Sequence, residues 1–309
     1  GNTSAPANAF EGSGAMLAGS AGNGNIVFAN NANVDLIFDG PDYMFDNDFD
    51  FIILTGGSIF MNQGYQNAGS GNVALVAGWD GTYDSPATLD VTDPCDPKIL
   101  SASIDFNSCE RYGNNNGTVY LGDATQTESL RVGSRQGTTT VAGYGLVMNA
   151  SSGTANASTQ LGFYGDGSGA FSGAIEVRVK EGGLTMNSGT TGAFTQIGHG
   201  GLDSAGSNNT LERSGDITIN AMGTDGSGNS ILLSGGSASN SYAQIGLGGQ
   251  DADSSYTGDI DVDAAGHIVL NAGEGDVAYA QVGHGGDNAF DGTQVLDDGD
   301  AENSGNITI

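Results

Sequence analysis

Positive charge is nearly missing from this chain. It carries 7 Lys and Arg against 36 Asp and Glu among 309 residues, a net charge of −29. Such a surface repels nucleic-acid phosphates and anionic lipid headgroups, which excludes nucleic acid as a partner. Proline is rare, at 5 residues, and the 54 glycines follow no Gly-x-y period, so collagen is excluded. No apolar run approaches the ~18 residues of a membrane span, and no span is expected. The opening GNTSAPANAFEGSG lacks the basic start and apolar stretch of a signal peptide. The closing GNITI stops where earlier repeats begin, so the chain is expected to be a processed or excised piece of something longer. Three His and two Cys leave little for metal chemistry. There is no Gly-x-Ser-x-Gly elbow, no paired metal-ligand His, no phosphate loop, no EF-hand loop and no Gly-Gly-x-Gly-x-Asp calcium repeat.

What is present is glycine and repetition. Glycine costs about 1 kcal/mol at each helical position, so long helices are disfavoured and strands between Gly, Asn, Asp and Ser turns remain. The phrase SYAQIGLGGQDADSS (241–255) has near-copies in AFTQIGHGGLDSAG, AYAQVGHGGDNAFDG and, more loosely, ASTQLGFYGDGSG. Units start at Gly137, Gly173, Gly215, Gly258 and Gly305, spaced 36, 42, 43 and 47 residues apart. A fixed phrase on a variable period means that loops change length while a structural unit recurs. Each unit holds three short alternating stretches: AIEVRV, DITIN or DIDVD first, then LVMNA, LTMNS, ILLSG or IVLNA, then Gln-(Ile/Leu/Val)-Gly. Three half-buried strands per turn describe a coil of a parallel β-helix, all-β, with long variable loops. One coil cannot bury enough to fold alone, whereas stacked coils share a core.

Register then predicts columns. Ile217, Ile219, Ile231, Leu233 and Ile245 point inward. Asn149, Asn187, Ser234 and Asn271, with Asn62 earlier, form a structural ladder at a corner. Gln160, Gln196, Gln244 and Gln281 form another, flanked by Phe194, Tyr242 and Tyr279. These lie on the face opposite the aliphatics, either covered by the chain's own loops or open as a lateral contact surface. A third column reads Phe163, His199, Leu247, His284. A catalytic His is not replaceable by Leu within one chain, so packing or capping is expected; His267 is equally isolated.

Residues 24–136 show the same grammar with less order and are expected to continue the stack, with 1–23 as a lead or cap and 137–309 as the regular repeats. Cys95 and Cys109 have no His nearby for zinc. In a secreted chain they are expected to form a disulfide, whose loop of about fifteen residues contributes ~3 kcal/mol and pins an excursion from the coil.

GSIFMNQGYQNAGSGNVALVAGWDG (57–81) and the GDI…ILLSGG…YAQIGLGG units resemble the filamentous-haemagglutinin type of bacterial exoprotein, exported by the two-partner route. The second set covers roughly 137–309. The Asn-Pro-Asn motifs of that family's secretion domain are absent. The resemblance implies a right-handed β-helix and a secreted, extracellular adhesive or structural rod at the cell surface or in the matrix. The partners it implies are copies of itself, end to end or laterally, or a host or biofilm surface.

Two chemistries remain as expectations. Calcium would suit an outward column of Glu176, Asp216, Asp259 and Asn306, with Asp261 and Asp263 beside it, and the loop acids Asp203, Asp251 and Asp287. The clusters DNDFD (46–50) and DDGDAE (297–302) add further acid, and the plain alternative is a solvated acidic surface. A β-helical polysaccharide lyase would need converging acid and base; Glu176, Arg178 and Lys180 share a strand face near Asp216. Alternating charge on an exposed strand is far commoner, and no enzyme is expected. Glycan recognition by loops, with Tyr242 and Tyr279 as contacts, is the other alternative to a structural rod.

Overall fold

The computed structural model describes residues 16–19, 26–30, 32–46, 48–80, 112–164, 171–202, 212–252, 255–287 and 303–309. The two-residue alternation folds these into three stacked sheets, of nine, seven and seven strands. The chain visits sheet one, sheet two and sheet three in turn. A representative coil runs Ile217–Ala221, Asn229–Ser234 and Ala243–Ile245. The architecture is the expected right-handed parallel β-helix with three strands per coil. A small fourth sheet, Glu212–Ser214, Ser255–Thr257 and Asn303–Ser304, precedes sheet-one strands in the last coils. One pairing among those described is antiparallel: Met16–Gly19 folds back along Ile26–Asn30 and occupies the outer edge of sheet one.

Like residues sit on like. Ile175, Ile217 and Ile260 align in sheet one, and Leu184 aligns with Ile231 in sheet two. In sheet three, Gln160, Gln196, Gln244 and Gln281 align. The inward aliphatics join one apolar core running from Phe28 to Val262. Ile217, Ile219, Ile231, Leu233 and Ile245 are all fully buried within it.

The early coils use the same three sheets. Phe51–Thr55 and Val73–Ala77 are buried on both faces, because Ile52, Leu54, Ala74 and Val76 lie under Trp79 and Tyr112. Burial on both sides is why FIILT and VALVA read as nearly continuous apolar runs rather than as alternation. Two strands were not legible beforehand, Tyr43–Phe45 and Tyr65–Asn67; they are the sheet-three strands of the first two coils. The stretches ATLDV and SASIDF, with Cys95, Cys109 and the disulfide expected of them, lie outside the described residues.

Sheet two differs from the others in its outward face. Its outward column is, in register, Ile37, Phe60, Tyr120, Val147, Thr185, Leu232 and Val269. None of its seven strands contains Asp, Glu, Lys or Arg.

The corner after sheet three packs backbone directly on backbone. Gly246 has a φ of 155°, and a Cβ there would overlap the Gly283 carbonyl oxygen of the next coil. Gly246→Ala is therefore expected to destabilise the stack by about 2–4 kcal/mol in urea unfolding. Gly226→Ala is the control: a Cβ there meets nothing within 4 Å. It should shift stability by less than about 0.5 kcal/mol; equal losses for both would refute the close-approach account.

Candidate functional site

The repeated Gln-x-Gly-x-Gly phrase is the densest recurring side-chain chemistry in the molecule. Gln160, Gln196 and Gln244 each lie on the outward side of a three-residue strand in sheet three and are buried there. Its amide nitrogen donates to two carbonyl oxygens of the next coil's phrase. Gln160 reaches Gly198 and Gly200 at 2.8 and 3.0 Å. Gln196 reaches Gly246 and Gly248 at 3.0 and 2.6 Å. Gln244 reaches Gly283 and Gly285 at 2.9 and 2.6 Å. Gln281, in the last coil with this phrase, turns back to the His284 carbonyl at 3.4 Å. The glutamines thus reinforce turns that already share backbone bonds between coils, such as Gly201 N–H to the Gly248 carbonyl at 2.8 Å.

Aromatic rings complete the corner. Phe194, Tyr242 and Tyr279 stack along the rod, with centroids 4.7 and 4.9 Å apart and planes within 5° and 7°. The Tyr242 hydroxyl faces Gln196 Oε1 at 3.5 Å, and that of Tyr279 faces Gln244 Oε1 at 3.3 Å. Burial holds both hydroxyls well above their usual pKa, so they remain donors. Gly249 lies over the Tyr242 hydroxyl, where a side chain would collide. Phe194 and Tyr242 are buried, and Tyr279 is half-buried. The open contact surface considered for Phe194 and Tyr242 is therefore not formed, because the Gly-Gly turns fold over these rings.

The His column is a backbone clamp. His199 Nδ1 accepts the Phe163 N–H at 3.0 Å, which leaves the proton on Nε2 to donate to the Gly173 carbonyl at 2.7 Å. His284 repeats the arrangement with the Leu247 N–H at 3.2 Å and Gly258 O at 2.9 Å. Each ring ties the end of sheet three to the glycine that opens a coil. In the intervening coil Leu247 fills the same column by packing alone, fully buried. Burial, reinforced by Arg213 and opposed by the Gly173 bond, pushes His199 down from 6.5 to about 4.

Arg213 is the largest fully buried side chain and was not foreseen. It lies beside Tyr256 in the fourth sheet, with Phe171 bridging to it from the coil below. Its guanidinium carbon is 5.4 Å from the Phe171 ring centroid. The signal was present: Phe171, Arg213 and Tyr256 each stand two residues before a repeat glycine, in FSG, RSG and YTG.

The acidic column is not assembled as the alternation implied. Glu176 aligns with Thr218 and Asp261, and the residue beside Asp216 in the coil below is Ala174. Asp216 and Asp259 do stack, but each carboxylate takes up a backbone N–H of the next coil. Asp216 Oδ1 accepts from Asp259 N at 2.9 Å, and Asp259 Oδ1 from Asn306 N at 2.7 Å. Asp50 and Asn72 do the same lower in the rod, each at an Oδ1 that accepts the next coil's N–H. Asp261 and Asp263 are exposed, at sheet-one positions aligned with Thr218 and Asn220. Asp251 donates its N–H to the Asp287 carbonyl at 3.0 Å, and Asp203 lies outside the described residues. Among the described residues no three His, Cys, Asp or Glu converge as metal ligands would.

Glu176 is paired instead with Arg178, through Nε at 2.6 Å and Nη2 at 2.5 Å. The lyase constellation is not brought together, since Asp216 is displaced two positions from Glu176. In the Asn ladder, Asn187 Nδ2 donates to Asn149 Oδ1 at 3.0 Å, with Ser234 and Asn271 continuing in register. Asn62 stands apart from them, exposed, with Gly122 in the coil between. His267 is an exposed strand start. No helix among the described residues is long and apolar enough to cross a membrane. No family model, curated protein or solved structure matches the chain.

Two outcomes are expected. The unfolded chain protonates His199 between 6.5 and about 4 while the folded chain does not. Stability from this residue is therefore full above pH 6.5 and is lost as pH falls through that window, by roughly 3 kcal/mol at about 1.4 per unit. His199→Leu, which copies the Leu247 coil, should lower the melting temperature at pH 7 and close the gap to wild type by pH 4.5; a constant gap would contradict the clamp. Separately, Gln160 Oε1 is buried without a partner, because its coil neighbour is Phe194 where later coils have Tyr. Phe194→Tyr should stabilise by about 0.5–1 kcal/mol in denaturant titrations, and a loss of stability would show that the hydroxyl does not fit.

Proposed function

We propose that this chain is a structural, adhesive segment of a secreted bacterial cell-surface fibre, a stiff acidic rod whose output is length and rigidity. One observation carries the reading. The polar side chains that recur from coil to coil, in the Gln, His and Asx columns, are engaged with backbone groups of neighbouring coils. Their common effect is to fix one coil on the next. The resemblance of 57–81 and 137–309 to filamentous-haemagglutinin-type exoproteins supports the same reading, and so does the β-helix itself. The net charge of −29 keeps such rods soluble and away from anionic surfaces. Catalysis is not part of the proposal, and neither is calcium, because the stacked carboxylates already hold backbone N–H groups.

Electron microscopy of the native material tests this. Seven coils at ~4.8 Å give a rod of only about 34 Å. Particles many times longer are the expected result. Uniform short particles would overturn the fibre reading and favour a discrete glycan-binding or enzymatic module.

A further inference from the structure

We propose that the outward face of sheet two is a lateral docking surface for a second copy of this chain. Its central column is apolar in six of seven coils and spans about 29 Å, at ~4.8 Å per step. Ile37 is 58% exposed, and Phe60, Tyr120, Val147, Leu232 and Val269 are half-buried by their own neighbours in the stack. Single exposed aliphatics are ordinary on a protein surface, but a continuous line of them along a regular sheet is not.

Charge selects the occupant. The chain carries −29, and the outward side of sheet one presents Glu176, Asp261 and Asp263. Two copies approaching there bring like charges together. The strands of sheet two hold no ionisable Asp, Glu, Lys or Arg, so contact across them takes no such group out of water. Acids flank its strands rather than lie within them: Asp35 and Asp39 stand either side of Ile37, and Asp123, Glu181 and Asp225 lie at the rims of later coils. Their repulsion is long-ranged and is screened within ~8 Å at physiological salt.

Ring orientation argues against a sugar as the occupant. Phe60 and Tyr120 stack on each other with centroids 4.6 Å apart and planes within 4°. Their faces are covered by one another along the rod, and their edges point outward. A pyranose stacks on a ring face, whereas edges and branched aliphatics interdigitate with a surface of the same kind.

The face is small, about 29 Å by ~10 Å or roughly 600 Å² for two copies, below the size of a stable specific interface. One pair of chains is thus expected to associate weakly, and rods with more coils proportionally better. The proposal extends the fibre reading by naming where rods meet side by side, and the two fail separately: particle length tests the fibre, and solution association tests the face.

The experiment is sedimentation velocity on the full chain at about 0.1–1 mM, in about 20 mM and about 500 mM NaCl. Wild type should self-associate at least tenfold more tightly at the higher salt. Leu232→Glu should weaken this tenfold or more. Thr185→Glu, which replaces a side chain already polar, should do so without risk to folding, and Thr218→Glu on sheet one should leave it unchanged. A monomer at both salts would overturn the proposal, as would association that weakens with salt or ignores the sheet-two variants. Binding to an insoluble neutral polysaccharide that Thr185→Glu abolishes, without self-association, would assign the face to a glycan instead.

Discussion

Everything in this molecule follows from one constraint: each residue must be compatible with its counterpart one coil above and one coil below, ~4.8 Å away. For aliphatic side chains the constraint is easy, and Ile175, Ile217 and Ile260 simply continue a core. Glycine meets it at corners where backbone touches backbone, as Gly246 does against Gly283. For polar and charged groups it is severe. Two carboxylates at that spacing repel by about 0.9 kcal/mol even at the dielectric of water. The structure meets this by pointing each side chain's acceptor or donor at the backbone of the adjacent coil. Asp216 accepts the Asp259 N–H, and Gln196 donates to Gly246 and Gly248. The repeated polar residue is thereby turned from a liability into the fastener between coils.

This explains why the repeated Gln-(Ile/Leu/Val)-Gly phrase tolerates His, Leu or Phe at one position. The column needs a filled volume beside Gly173 or Gly258, and His adds two hydrogen bonds to that volume. Leu247 supplies the volume without the bonds. The tie is useful but not obligatory, because the ladders of three sheets already hold the register. His199 also carries a liability that Leu247 does not, since a buried imidazole resists protonation and couples that coil to pH.

The fold was legible because its signals are local and repeated: alternation for strands, glycine for corners, one phrase per coil. Errors arose where information came from elsewhere in the chain. Glu176 was placed beside Asp216 by the common polar alternation of their strands, whereas the stacked glycines fix the register. Counted from Gly173 and Gly215, Asp216 falls next to Ala174. Tyr43–Phe45 and Tyr65–Asn67 are short and lack the Gln-x-Gly phrase that marks the later strands of sheet three, so no repeat pointed to them. For Tyr242 the sequence offered both coverage by loops and an open surface, and the structure shows the first. The outward parity of Tyr242 follows from the alternation, and what covers it is the Gly-Gly turn seven residues further on.

The same constraint divides the three faces of the rod. Sheet three turns its outward side into a second packed layer, since the Gln and Tyr columns need the turns above them. Sheet one has an apolar outward side under Trp79 and Tyr112 in the early coils and a charged one later, marked by Glu176 and Arg178 and then by Asp261 and Asp263. Only sheet two keeps an apolar centre along nearly its whole length, flanked by Asp35 and Asp39 in the first coil and by Asn and Ser in the later ones. Loops that vary the repeat from 36 to 47 residues leave its central column in register, with one irregularity at Asn229–Ile231 beside the column. A chain that accepts insertions at its corners but keeps acid off every sheet-two strand preserves a regular surface over its whole length. Regularity of that kind matters only to a partner that is itself regular and extended.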